Sequence, residues 1–158
     1  MFASRALTVA RALAWLLPAG AMKNRLLTRL GHRIAPRASV APNLVWDVDE
    51  FVVADGASVL SGNMIRHLGA VELGEEAMLG KFNLVSAHPT YKANYPESNG
   101  LFLGDGAKVL NRHQLDCSAA VHVRSFASVA GHGTSVLTHS VDLARDAQAA
   151  YPVTIGER

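Results

Sequence analysis

A spacing of six residues, nested inside a spacing near twenty, constrains this chain more than any other feature of it. An aliphatic residue is followed four positions later by a small one and six positions later by another aliphatic in five places: Ile34, Ala38, Val40; Val53, Ala57, Val59; Leu73, Ala77, Leu79; Leu103, Ala107, Val109; and Val123, Ala127, Val129. A sixth copy opens at Ile155. The residue after the first aliphatic is Ala35, Ala54, Gly74 or Gly104 in four of these copies, Arg124 in the fifth and Gly156 in the last. The copies start 19, 20, 30, 20 and 32 residues apart, so the chain reads as a repeated coil with two longer excursions, 86–100 and 138–152.

The pattern has a direct physical meaning. Each hexad is one short flat side of a triangular coil, with its aliphatic residue inward and its small residue where the chain turns a corner, and three sides close a turn. Stacked turns put Ile34, Val53, Leu73, Leu103, Val123 and Ile155 in one interior column and let every strand pair with the turns above and below it. Amphipathic helices do not fit, because the spacing is six and two and glycine and asparagine fall inside every candidate helix. A β-sandwich would need five aligned copies to be coincidence. The expected fold is therefore all-β, a parallel β-solenoid over 34–158, preceded by a helical segment at 1–33.

That segment differs in character from the rest. Arg5, Arg11, Lys23, Arg25, Arg29, Arg33 and Arg37 all precede the first acid, Asp47, so the first 46 residues carry +7. The remainder, with 8 basic and 13 acidic side chains, is net −5, which argues against a nucleic-acid-binding body. Leu7, Ala10, Leu13 or Ala14, and Leu17 recur at helical spacing, Pro18 and Gly20 interrupt, and a second short helix over 22–30 sets Leu26, Leu27 and Leu30 against Lys23, Arg25 and Arg29. The uncharged stretch 12–22 is too short to span a bilayer, which needs about 20 residues. A basic start, a short apolar run and Ala19-Gly20-Ala21 also have the look of a signal peptide, but Arg11 interrupts the apolar region and export leaves the basic helix that follows unexplained. Two readings stay open: a cap on the end of the solenoid, and a basic amphipathic anchor on a membrane surface. A single cysteine, Cys117, can form no internal disulfide and fits a reducing compartment.

The hexads, together with Asn111-Arg112-His113-Gln114-Leu115-Asp116-Cys117, Val129-Ala130-Gly131, Leu137-Thr138-His139-Ser140-Val141-Asp142 and Pro152-Val153-Thr154-Ile155-Gly156, resemble the hexapeptide-repeat acyltransferases, and within them the sugar O-acetyltransferases of the maltose and polysaccharide type. The resemblance covers residues 34–158. It implies a left-handed parallel β-helix, a homotrimer with active sites between subunits, and transfer of an acyl group from acetyl-coenzyme A to a hydroxyl of a sugar, glycolipid or polysaccharide precursor. It also implies a cytoplasmic protein, and with the basic N-terminus one that is peripheral at the inner membrane face. Because family members carry further coils past this point, the resemblance leads us to expect that 158 is not the natural end and that C-terminal coils are missing.

Acyl transfer to a hydroxyl needs a base for the alcohol proton, and an imidazole suits that task near neutral pH. His139 matches the family's catalytic histidine, at the mouth of the second excursion. Asp116 and His113 match acceptor-binding positions, and Asn111 is a further substrate-binding candidate; where the maltose-type enzymes have an asparagine this chain has His113. His88 reads as a loop residue for packing or acceptor contact, and Cys117 as a small buried residue. Gly104-Asp105-Gly106 and Gly131-His132-Gly133 lack what a phosphate loop requires and read as coil corners. No residues for coenzyme A can be named, and no metal is expected: the spacings among His113, His122, His132 and His139 are 9, 10 and 7, unlike the trimeric zinc hydratases that share this β-helix. N-acylation of an amino sugar and a non-catalytic trimeric scaffold are the alternatives.

Overall fold

The computed structural model describes residues 2–94, 99–143 and 147–156. It is mostly β, with helices α1 (Phe2–Trp15), α2 (Ala21–Arg29) and α3 (Pro89–Asn94) among the described residues. Its strands wind as a solenoid with three flat sides. One side stacks Ser39–Val40, Ser58–Val59, Met78–Leu79, Lys108–Asn111 and Ser128–His132 as parallel neighbours. The two long strands Leu44–Val53 and Met64–Leu73 bend to serve both other sides. Their first halves continue into Leu84–Ser86, Gln114–Asp116 and Ser135–Val136, and their second halves into Gly100–Leu103, Ala120–Val123 and Val153–Ile155, with Arg33–Ile34 at the opening end.

The register accounts for the six-residue spacing. Ile34, Val53, Leu73, Leu103, Val123 and Ile155 are successive partners in one column. Val40, Val59, Leu79, Val109 and Val129 form a second, and Val45, Ile65, Val85 and Leu115 a third. These columns are the core, and each such side chain contributes about 1.5–3 kcal/mol by leaving water. Fully buried alanines, Ala57, Ala77 and Ala107, sit behind one corner.

The corners turn through left-handed backbone. One takes it at Asp47 and His67, a second at Gly56, Glu76, Gly106 and Phe126, a third at Gly62, Phe82, Arg112 and Gly133. Two of the glycines also make space for an aromatic ring from the next turn. A Cβ on Gly62 would lie 2.5 Å from Phe82 Cε1, and one on Gly106 would lie 2.7 Å from Phe126 Cδ1.

At the corner before the second side, asparagines stack on one another. The Asn43 Oδ1 accepts from the backbone and side-chain amides of Asn63, and Asn63 Oδ1 accepts both amides of Asn83. Asn83 Oδ1 then accepts the His113 N–H at 2.8 Å. His113 continues the ladder in another chemistry, its Nδ1 taking the Thr134 N–H at 3.2 Å as an amide oxygen would. The four side chains are 1–2% exposed, so every one of these bonds replaces a solvent contact the buried backbone cannot make.

The N-terminal segment caps the opening end of the coil, with α1 packed on Leu44–Val53. Of the two sequence candidates at its third position Ala14 is buried and Leu13 is 61% exposed; Leu17 is 41% exposed, while Trp15 is fully buried against Phe51 at 4.5 Å and beside His32. The reason is that the end of a coil exposes carbonyls, and cations answer them better than leucines do. Arg11 donates to the carbonyls of Leu30, Val48 and Asp49. Lys23, only 2% exposed, places its Nζ on the carbonyls of Trp15, Leu17 and Ala41 at 2.8–2.9 Å, and burial pulls its pKa down to about 8. On α2, Leu27 is buried as expected, but Lys23 and Asn24 share that face, and Asn24 Nδ2 binds the Ala38 carbonyl.

Two predictions follow from this packing. Among the described residues both ring nitrogens of His32 are buried without a partner, and burial, aided by the Arg11 charge, lowers its pKa from 6.5 to about 4. The unfolded chain therefore binds the proton first, so stability rises with pH between about 4 and 6.5 and is lost as pH falls through that window, by on the order of 3 kcal/mol. Burial lowers the His113 pKa as well, with the same sign. In urea unfolding at pH 7 and pH 4.5, His32→Phe should lose less stability on acidification than the native chain; an equal loss would contradict this. Asn63→Leu strands the Leu60 and Gly80 carbonyls and the Asn83 N–H, and should cost about 3 kcal/mol or more at pH 7, whereas a change under 1 kcal/mol would show that the ladder is dispensable.

Candidate functional site

Asp116 ends the strand Gln114–Asp116, whose neighbour Ser135–Val136 pairs Gln114 with Ser135 and Leu115 with Val136. The alternation that buries Leu115 inside the coil sends Asp116 to the other face. One step beyond Val136 the chain leaves the coil, and Thr138 and His139 arrive over Asp116. The carboxylate is saturated: Ser118 Oγ donates to Oδ1 at 2.7 Å, and Oδ2 accepts from the Thr138 N–H, the Thr138 hydroxyl and the His139 N–H at 2.8–3.2 Å. His139 Nδ1 lies 2.8 Å from the same Oδ2. Burial alone would raise the Asp116 pKa, but the hydrogen bonds from His139, Ser118 and Thr138 outweigh it and hold the group below the ordinary carboxylate value.

An ionised carboxylate can only accept, so the Nδ1 proton belongs to the imidazole, and in the neutral ring the lone pair falls on Nε2. The His139 side chain is 42% exposed and that of Asp116 11%. The result is a buried anion holding an accessible imidazole in one tautomer.

The first excursion closes over the same place. In α3, Tyr91 sets its ring 5.8 Å from that of His139, with His88 edge-on to Tyr91 at 6.4 Å. Among the described residues the Tyr91 hydroxyl is buried without a hydrogen-bond partner. The His88 N–H donates to Ser118 Oγ at 3.2 Å, which ties the excursion to Asp116 through one hydroxyl. α3 is pinned at its far side by Lys92, whose Nζ reaches the Asp47 carbonyl and Oδ1 at 2.7 Å each and Asp49 Oδ1 at 2.9 Å. His67 Nδ1 meets the other oxygen of Asp47 at 2.8 Å. Asp47 and His67 are the left-handed corner residues, so the corner geometry and the anchoring of α3 share one cluster.

Trp46, Arg66, Ser86 and Asp116 are register partners on one outer face of the solenoid. An open groove of about 300 Å³ lies along it, lined by Leu44, Trp46, Met64, Arg66 and His67. This face leads from the opening turns to the Asp116–His139 pair.

The four residues singled out from sequence fall in two groups. His139 and Asp116 come together, and Asp116 faces His139 rather than open solvent. His113 is 1% exposed in the asparagine ladder, which leaves it no surface to offer an acceptor. Asn111 lies in the neighbouring side of the coil with its Oδ1 taken by the Lys81 N–H at 2.8 Å. Cys117 is fully buried, and burial together with the Asp116 charge pushes its thiol up, so it supplies no thiolate. Ser118, Thr138, Tyr91 and Lys92 went unnoticed in the sequence. Thr138 and Ser118 flank named residues and could have been found as hydroxyls beside a carboxylate; Tyr91 and Lys92 become relevant only once the two excursions are known to meet. Among the described residues no three His, Cys, Asp or Glu side chains gather as a metal-binding group.

Comparison with known proteins found no family model, no curated protein and no solved structure that matches the chain.

Proposed function

We propose that this protein transfers an acetyl group from acetyl-coenzyme A to a hydroxyl of a sugar, glycolipid or polysaccharide precursor, with His139 as the general base. The observation that carries this reading is the 2.8 Å contact between His139 Nδ1 and a buried, ionised Asp116, which holds an accessible ring so that Nε2 is the basic nitrogen of its neutral form. The donor supplies a thioester carbonyl as electrophile. As the acceptor oxygen attacks that carbon, Nε2 takes the hydroxyl proton; when the carbon–sulfur bond breaks, the imidazolium returns the proton to the departing sulfur, and ester and free thiol leave. Asp116 stabilises the transient imidazolium and keeps the ring from rotating. Tyr91, against the imidazole, helps exclude water that would compete with the acceptor.

The same reading makes the solenoid a left-handed β-helix of hexapeptide type, assembled as a homotrimer. The in-register columns at six-residue spacing and the small residues behind the corners support the first. The exposed Leu44, Trp46 and Met64 beside the groove support an ordered neighbour on that face.

The test is release of free thiol from acetyl-coenzyme A in the presence of sugar hydroxyl acceptors. His139→Ala should lower kcat by about 10²- to 10⁴-fold in a chain that still folds, because its side chain is 42% exposed. Asp116→Asn should lower kcat by about 10²-fold while KM moves little, since an amide donating to Nδ1 favours the wrong tautomer. Absence of acetyl-coenzyme A-dependent thiol release by the native chain, or equal rates for it and His139→Ala, would overturn the proposal.

A further inference from the structure

The cap is inside out. On α1 the polar Arg11 faces the protein, while Val9, Leu13 and Leu16, at i, i+4 and i+7 on one stripe, are 45%, 61% and 51% exposed. Leu17 beside them and Met22 at the start of α2 are 41% and 83% exposed. On the outer face of α2, Met22 is followed at i+3 and i+7 by exposed Arg25 and Arg29. Arg5 is exposed on α1 as well. A helix that turns its leucines outward and its cation inward is arranged for an apolar medium on its outer side.

From this we infer that the outer face of the α1–α2 cap docks on an anionic lipid bilayer, with its leucines and Met22 at the acyl boundary and Arg5, Arg25 and Arg29 on lipid phosphates. Charge selects this occupant. The outward cations stand in a segment with no acid before Asp47, and Arg33 and Arg37 are already paired with Glu50 and Asp55. Two copies of this face brought together would oppose arginine to arginine with no carboxylate of the segment to relieve them, whereas phosphates of an anionic bilayer neutralise the same groups. The helices lie in the plane of the surface: no helix among the described residues is long and apolar enough to cross a membrane. The inference does not depend on the acyl-transfer reading.

The test is co-sedimentation of the purified chain with vesicles of phosphatidylcholine alone and of phosphatidylcholine with 30 mol% phosphatidylglycerol. The account expects binding to the second and not the first, weakening as salt is raised. The double variant Leu13→Glu, Leu16→Glu should abolish it with an unchanged melting temperature, because both side chains already face outward. Arg25→Glu with Arg29→Glu should weaken it by about tenfold or more. No binding to the anionic vesicles at low salt, or full binding by the leucine double variant, would overturn the inference. So would a native chain that ignores vesicles but self-associates in solution and is dissociated by the leucine double variant, which would make this face a contact between copies.

Discussion

A coil stacked on itself can pair its strands along the flat sides, but at each corner the peptide groups turn away from their neighbours and have to be answered by something else. At one of the three corners the asparagine ladder answers them. Asn43, Asn63 and Asn83 each take both amides, or the backbone amide, of the residue one turn later and give their own amide to a carbonyl of the coil. Buried and fully engaged, they fix where each turn begins the next flat side. The aliphatic columns supply most of the burial, and the ladder adds directional bonds that hold the corner in place.

The candidate site inherits that accuracy. His113 ends the ladder and is three residues ahead of Asp116, so its imidazole, taking the Thr134 N–H, sets the register that delivers Thr138 and His139 onto the carboxylate. The imidazole can do so only while neutral, and the burial that lowers its pKa keeps it neutral. The two histidines thus do opposite jobs. His113 is sealed and serves the backbone; His139 is accessible and owes its fixed tautomer to Asp116. The second excursion leaves as the antiparallel pair His139–Asp142 and Ala147–Ala150, and the first returns as α3, clamped by Lys92 on Asp47.

Much of the architecture was legible because it is periodic. The spacing of Ile34, Val53, Leu73, Leu103, Val123 and Ile155 named a column that the strand register reproduces, and the two interruptions of the period marked both excursions. His139 and Asp116 were singled out through the family resemblance, Asp116 as an acceptor-binding position rather than as the partner of His139. What failed to show was every feature that depends on polar groups turned inward. Lys23, Arg11 and His113 look like surface residues to any hydropathy pattern, yet each is where it is because a backbone group at the end or the corner of the coil lacks a partner. The exposed Leu13 is the converse: helical spacing admits either Leu13 or Ala14 inward, and it is the smaller Ala14, beside Trp15, that is buried. The approach of Tyr91 to His139 has no local signal, because it joins segments separated by several strands.

The central claim is that Asp116 holds His139 with its proton on Nδ1 and a bare Nε2. The most direct measurement is the nitrogen chemical shifts of the His139 ring in protein labelled with ¹⁵N histidine, assigned by comparison with His139→Ala, near neutral pH. The account predicts a protonated Nδ1 and an unprotonated Nε2 for His139, and loss of that preference in Asp116→Asn. A proton on Nε2 with a bare Nδ1 in the native chain would contradict it.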